Sequence, residues 1–407
     1  MPIFRTFAAL ARRPAWRRLS WALAPLLLAG CASAPGALPA QAPPLFDDAH
    51  FAAATEPVDP EDAFKLSPEM LDYLRDVVAP AAKEWGMRRA ITQALYDQNK
   101  LQLEYDSSRT RTAAEAFHAR QGNCLSLVMM TGAFAKALNL KVTYQQVVVD
   151  DMWSRSSGMY FYSGHVNLML EHHYMDTAGN VDRNDSYTID FMPGDSTTHS
   201  HVITQKTVLA MFMNNRAAEA LVAGKLDDAY WRVRQALVLD PNFLSSYNTL
   251  GVIYMRRGDA ARAEQVMHYA LDATPDNPRL LSNYAQALRD LGRDGEAQVV
   301  QAHLAKVEPT PPFFWYAQGQ TALHQGDFAK ARALFLKEID RAPDYHEFHY
   351  ALAVADFELN RLEEARREMA LAMDNAAKRS DHDLYAAKLD KLKAWRASNP
   401  RSPTLTQ

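Results

Sequence analysis

Cysteine is nearly absent: the 407 residues hold two, Cys31 and Cys124. That excludes a disulfide-stapled scaffold, which needs several pairs. A bilayer-spanning run is missing too. The apolar stretch behind the first arginines, Leu19 to Ala29, is far shorter than the ~20 residues a spanning helix requires. Nor is there a basic block. The net charge is −4, and residues 1–30 carry five arginines and no acid, so the remainder carries −9. A mildly acidic body without a Lys/Arg cluster argues against nucleic acid as a partner. The histidine pairs His172-His173 and His199-x-His201 have no third ligand at a suitable spacing, so neither a metal nor a cofactor is expected.

What is present begins at the N-terminus. Arg5, Arg12, Arg13, Arg17 and Arg18 precede the apolar stretch, and residues 1–30 read as an export signal. It ends in Leu27-Leu28-Ala29-Gly30-Cys31, which resembles the lipobox of bacterial lipoproteins. The resemblance implies cleavage before Cys31 and lipidation of its thiol. Each acyl methylene buried in a membrane contributes about 0.8 kcal/mol, so a multiply acylated Cys31 would anchor the chain. By the sorting rule of the lipoproteins that this segment resembles, Ala32 in place of an Asp implies the outer membrane, facing the periplasm. Residues 31–60, rich in Ala and Pro, read as the lipidated cysteine and a flexible tether. With Cys31 consumed by lipid, Cys124 has no intramolecular disulfide partner. It is then either a reactive thiol or a buried structural one.

Residues 61–204 read as a mixed α/β domain. Helical periodicity covers roughly 67–79, 84–104, Ala113 to Arg120, and Cys124 to Leu138. A β-branched run, Lys141 to Val149, predicts a first strand, and His165 to Glu171 a second. A loop bearing Trp153, Tyr160, Phe161 and Tyr162 lies between them. Residues 172–186, dense in Asp, Asn, Gly and Ser, predict a turn before a third strand, Tyr187 to Met192.

From about residue 205 to 400 the pattern is helical and periodic. Pro241, Pro275, Pro309 and Pro343 lie 34 residues apart. So do Gly224, Gly258, Gly292, Gly326 and Asn360, and likewise Ala229, Ala263, Ala297, Ala331 and Ala365. These positions resemble the tetratricopeptide-repeat (TPR) pattern: a small residue at a close helix crossing, a left-handed-capable residue at the turn, and Pro at the exit. Five repeats start near 210, 244, 278, 312 and 346, and Leu384 to Trp395 reads as a capping helix. Such an array implies a surface that recruits a protein or peptide. Trp231, Tyr254, Tyr284 and Trp315 fall in helical pattern and are expected in its core.

The chemistry centres on Cys124. Gln121-Gly122-Asn123 forms a turn, and Cys124 opens the next helix. A thiol there faces unpaired N–H groups and the positive end of the helix dipole, which favour thiolate and offer donors to an oxyanion. Alternation on the second strand places Val166, Leu168 and Leu170 on one face and His165 with Asn167 on the other. On the third strand Ile189 and Phe191 share a side, leaving Asp190 opposite. A hairpin between these strands would set Asp190 beside His165.

Residues of about 95–200 thereby resemble the transglutaminase-like superfamily, relatives of the papain-like thiol proteases, in which Cys, His and Asp occur in this order. The resemblance implies Cys124 as nucleophile, His165 as base and Asp190 as the group orienting it. It also implies an oxyanion donor upstream of the cysteine, for which Tyr105, Gln98 and Gln121 are candidates. Asp176 is a rival to Asp190 that turn geometry also explains.

The expected fold class is α+β: a papain/transglutaminase-like domain followed by an all-α TPR solenoid. The expected function is cysteine-dependent acyl transfer on a peptide or amide bond, to water or to an amine. The rival is a non-catalytic TPR adaptor or scaffold lipoprotein of a cell-envelope or secretion assembly.

Overall fold

The computed structural model describes residues 45–96, 101, 103–107, 109–147, 153–156, 159–162, 164–171, 187–191, 200–376 and 379–398. The export signal, Cys31, Gln98, Asp176, His172, His173 and His199 lie outside the described residues. Among those described, no helix is long and apolar enough to cross a membrane.

Three helices open the α/β part: α1 (Pro68–Tyr73), α2 (Ala79–Trp85) and α3 (Met87–Tyr96). Ser67 caps α1 by accepting from the Met70 N–H. Gly86, at φ +80°, ends α2 in a conformation that only glycine takes readily. The single helix expected over 84–104 is therefore only α3. The segment's end belongs instead to β1 (Glu104–Tyr105), which pairs in parallel with β2 (Gln121–Gly122). The Glu104 N–H donates to the Arg120 carbonyl at 2.9 Å and the Asp106 N–H to Gly122 at 3.0 Å. Between the two strands, α4 (Ala113–Ala119) starts with a reciprocal Thr112–Glu115 capping box.

Helix α5 (Cys124–Ala137) is buried on every side from Cys124 to Ala135. It is the axis of the α/β core, not an amphipathic surface helix. Strands β3 (Lys141–Val147), β4 (Trp153–Ser156), β5 (Met159–Tyr162), β6 (His165–Glu171), β7 (Tyr187–Ile189) and β8 (Ser200–Ile203) follow. Four form an antiparallel sheet in the order β7-β6-β3-β8. The segment expected as an aromatic loop is a separate β4–β5 hairpin, with Trp153 opposite Tyr162. Tyr144, Leu168 and Ile189 lie in one row across three strands, all buried against α5. Gly132 admits the Tyr144 ring, where a Cβ would overlap the hydroxyl.

The array comprises α6 (Gln205–Val222), α7 (Leu226–Leu239), α8 (Leu244–Arg257), α9 (Ala260–Ala273), α10 (Pro278–Asp290), α11 (Asp294–Val307), α12 (Phe314–His324), α13 (Phe328–Arg341), α14 (His346–Glu358), α15 (Leu362–Asp374) and the terminal α16 (Arg379–Ser398). Each intra-repeat turn has its residue at positive φ: Gly224, Gly258, Gly292, Gly326 and Asn360. Each is followed by the same six-residue closure, such as Lys225 N–H to Ala220 O and Arg361 N–H to Asp356 O. The periodic alanines, 229 to 365, are all buried. A second series with the same spacing carries the helix crossings from the other side: Ala217, Gly251, Ala285, Gly319 and Ala353, all buried. The array's interior is not continuous. One core runs from α6 to α11, and another starts at Phe313 beyond the Pro-rich 309–312 link.

Two departures from expectation concern the array's beginning. Helix α6 starts earlier than the repeat period because Val208, Met211, Phe212 and Met213 enter the α5 core, so the two parts share apolar packing. Residues 45–58, assigned by composition to a tether, are seated on the first repeats. Phe51 stacks on Tyr230 with ring centroids 3.7 Å apart, and the Arg257 guanidinium lies 4.3 Å from the Phe51 ring centre. The Trp231 indole N–H donates to the Ala52 carbonyl, the Tyr254 hydroxyl to Leu45, and Thr55 binds Asp228 through both N–H and hydroxyl.

Candidate functional site

The turn before Cys124 is built for close approach. A Cβ on Gly122 would sit 2.8 Å from the Ser126 Cβ, so a larger residue would push β2 off the first turn of α5. Asn123 is the N-cap: its Oδ1 accepts from the Ser126 N–H at 2.9 Å and from the Ser126 hydroxyl at 2.8 Å. Cys124 is thus the first helical residue. Its own N–H and that of Leu125 have no carbonyl to bond within the helix, so they are the donors an oxyanion at this position would use.

Strand register brings the other two groups together. Leu168 opposes Ile189, so Asp190 falls opposite Asn167, and His165 is the diagonal neighbour on the same face. The His165 Nε2 lies 2.7 Å from Asp190 Oδ1, and Asn167 Nδ2 donates to Asp190 Oδ2 at 3.1 Å. The imidazole is 5% exposed, and its Nδ1 has no hydrogen-bond partner among the described residues. Cys124 Sγ sits 3.9 Å from the carbonyl of Gly164, immediately before His165. Burial opposes a charge on the ring. The Asp190 hydrogen bond and then contact with Cys124 outweigh it, raising His165 to about 9. The shift favours the protonated ring at neutral pH, with one nitrogen held by carboxylate and the other without a hydrogen-bond partner among the described residues.

Of the upstream donors, Tyr105 stands opposite Gly122, and Gln121 opposite Glu104. The Tyr105 hydroxyl is held above its ordinary range by desolvation, then by the charges of Cys124 and Asp106. Register thus sets Tyr105, which is 39% exposed, opposite the residue two before Cys124. Met129 and Met130 are fully buried packing residues. Three contributors were not singled out from sequence: Thr110, Ser126 and Gly164. Only Ser126 left a trace there, as the third residue after an Asn N-cap. The others act through backbone groups or long-range contacts that no local pattern encodes.

A cavity of about 730 Å³ lies away from Cys124, on α6, α8 and α10, the first helices of three successive repeats. Its lining includes Asn214, Asn248, Thr249, Asn283, Gln286 and Arg256. Asn283 donates to Asn248 at 2.8 Å, joining two carboxamides across adjacent repeats.

Comparison with known proteins places a family on this part of the chain. Two tetratricopeptide-repeat profiles match, one over residues 214–278 and 316–380, the other over 254–320. Protein FlbA of Caulobacter vibrioides is 33% identical over 107 residues, which is 26% of this chain and 18% of FlbA. The TPR repeat-containing protein PA4667 of Pseudomonas aeruginosa is 27% identical over 132 residues, 31% of this chain and 22% of its own. This chain therefore spans about a fifth of the length of either curated relative. Among solved structures, YrrB, a TPR protein with an unusual peptide-binding site, aligns over 44% of this chain and 92% of its own, at 20% identity and a TM-score of 0.24. Matched profiles, left-handed turns at each 34-residue step and buried small residues at each crossing agree: residues 214–380 are tetratricopeptide repeats.

Proposed function

We propose that this protein couples a protein-binding TPR array to a thiol acyl-transfer centre made of Cys124, His165 and Asp190. The observation carrying this reading is the 2.7 Å His165–Asp190 contact, which occupies Nε2 and leaves Nδ1 for the thiol. The Cys124 thiolate attacks the carbonyl of a peptide or amide, forming a C–S bond. The N–H groups at the start of α5 hold the oxyanion. His165 gives its proton to the departing amine as the C–N bond breaks, leaving a thioester. Water or a second amine then attacks the thioester and yields its proton to His165, regenerating the thiolate. Asp190 keeps the ring oriented throughout.

The test is the pH dependence of iodoacetamide labelling, read on the Cys124 peptide by mass spectrometry. Wild type is expected to label well into the acid range, and His165→Ala to lose that acid limb. Slow labelling with the same ordinary profile in both proteins overturns the reading.

A second reading, a non-catalytic protein-interaction adaptor, is favoured by two observations. Cys124 is only 5% exposed, and both matched profiles fall in the repeats. On this reading the array alone carries the function, and the thiol is a packing residue.

A further inference from the structure

We propose that Glu219, on the first helix of the array, is a positioning residue for Cys124; this rests on the thiol reading above. The link is Thr110, which is 2% exposed and has both backbone polar groups taken by α6. Its N–H donates to Glu219 Oε1 at 2.6 Å, and its carbonyl accepts from Arg216 Nη1 at 3.2 Å. Arg216 and Glu219, one turn apart and 3.9 Å from each other, thus grip a single residue of the α/β part. The Thr110 side chain passes the constraint on: its Oγ1 accepts from Asn123 Nδ2 at 2.9 Å.

An amide has a donor end and an acceptor end. With Nδ2 tied to Thr110, Asn123 must present Oδ1 to the N-terminus of α5, where it receives both the N–H and the hydroxyl of Ser126. The Ser126 oxygen in turn accepts from the Arg111 N–H at 2.8 Å, closing the network onto the residue after Thr110. Glu219 therefore fixes the direction in which α5 begins, and with it the N–H groups and dipole that face the sulfur of Cys124. The same turns of α6 present Asn214, Asn215 and Ala218 to the array cavity, so the support of the thiol and the wall of the cavity are two sides of one helix.

The experiment is the pH profile of Cys124 labelling in the full chain, with folding followed by circular dichroism and thermal transition. Glu219→Ala leaves the buried Thr110 N–H without its acceptor. It is expected to slow labelling in the acid range by at least about threefold, while the protein stays folded. Glu219→Gln keeps a carbonyl oxygen at the same place and is expected to restore the wild-type profile. Thr110→Val preserves shape and backbone but removes the acceptor for Asn123. It is expected to shift the profile in the same direction, and it decides the matter if Glu219→Ala does not fold. A wild-type acid limb in folded Glu219→Ala and in Thr110→Val overturns the proposal while leaving the thiol reading intact. An acid limb missing from wild type itself sinks the thiol reading, and the proposal with it.

Discussion

His165 ties stability to pH in a direction that can be checked. Its ring is raised from an ordinary value near 6.5 to about 9 in the folded protein, against the effect of burial, by Asp190 and then Cys124. A raised pKa means that the folded state binds the proton more tightly than the unfolded one. The stabilisation is fully present below pH 6.5 and is lost as pH rises through about 9. Asp190→Asn removes the charge that holds the proton. Urea-denaturation midpoints should therefore separate wild type from Asp190→Asn most at pH 6 and converge above the folded value. A gap that widens with pH would contradict the assignment of Asp190 as the ring's partner. His165 and Asp190 were legible as a pair because two-residue alternation on β6 and β7 leaves little choice of face. Asn167 shares that face for the same reason, and it donates to the second carboxylate oxygen.

Helices follow their local rules more faithfully than short strands do. The array's turns could be read from sequence because a left-handed conformation restricts residue choice to Gly or Asn, and the 34-residue step repeats that restriction. Strands β1, β2 and β8 could not be read. Two or four residues carry no measurable period; β1 pairs with β2 across the intervening α4, and β8 pairs with β3, which is distant in sequence. The second small-residue series was hidden because alanine and glycine also occur as ordinary helix residues. It nevertheless sets how closely the helices cross. A Cβ on Gly319 would lie 2.5 Å from a ring carbon of the fully buried Phe335, which has no room to turn. A Cβ on Gly251 would overlap the Cε and lie 2.8 Å from the Cγ of Met267, which is also fully buried but has three rotatable bonds with which to give way. Replacing a mid-helix glycine by alanine gains about 1 kcal/mol of helix propensity, and overpacking costs about 1–3 kcal/mol. Gly319→Ala is thus expected to lower the thermal transition by more than Gly251→Ala does. Equal shifts in both variants would show that the ring at 335 yields as easily as the methionine.

Between its parts the molecule is held by side chains that composition assigned elsewhere. Residues 45–58 have the Ala and Pro content of a tether, yet Leu45 and Phe51 belong to the apolar core of the first repeats. Asp228, 2% exposed, has both oxygens satisfied by Thr55 of that segment. Because repeat arrays are stabilised by nearest neighbours, loss of this contact should act locally. The separation of the two array cores at 309–312 sharpens the expectation. Phe51→Ala removes a ring sandwiched between Tyr230 and the Arg257 guanidinium, a change of the kind that costs about 3–5 kcal/mol in a core. Amide hydrogen exchange should show lost protection in α7, α8 and α9, with α13 and α14 beyond the link unchanged. A free tether predicts the opposite, no change anywhere. Protection lost evenly along the array would mean that α11 and α12 transmit stability across a link where the apolar cores do not meet.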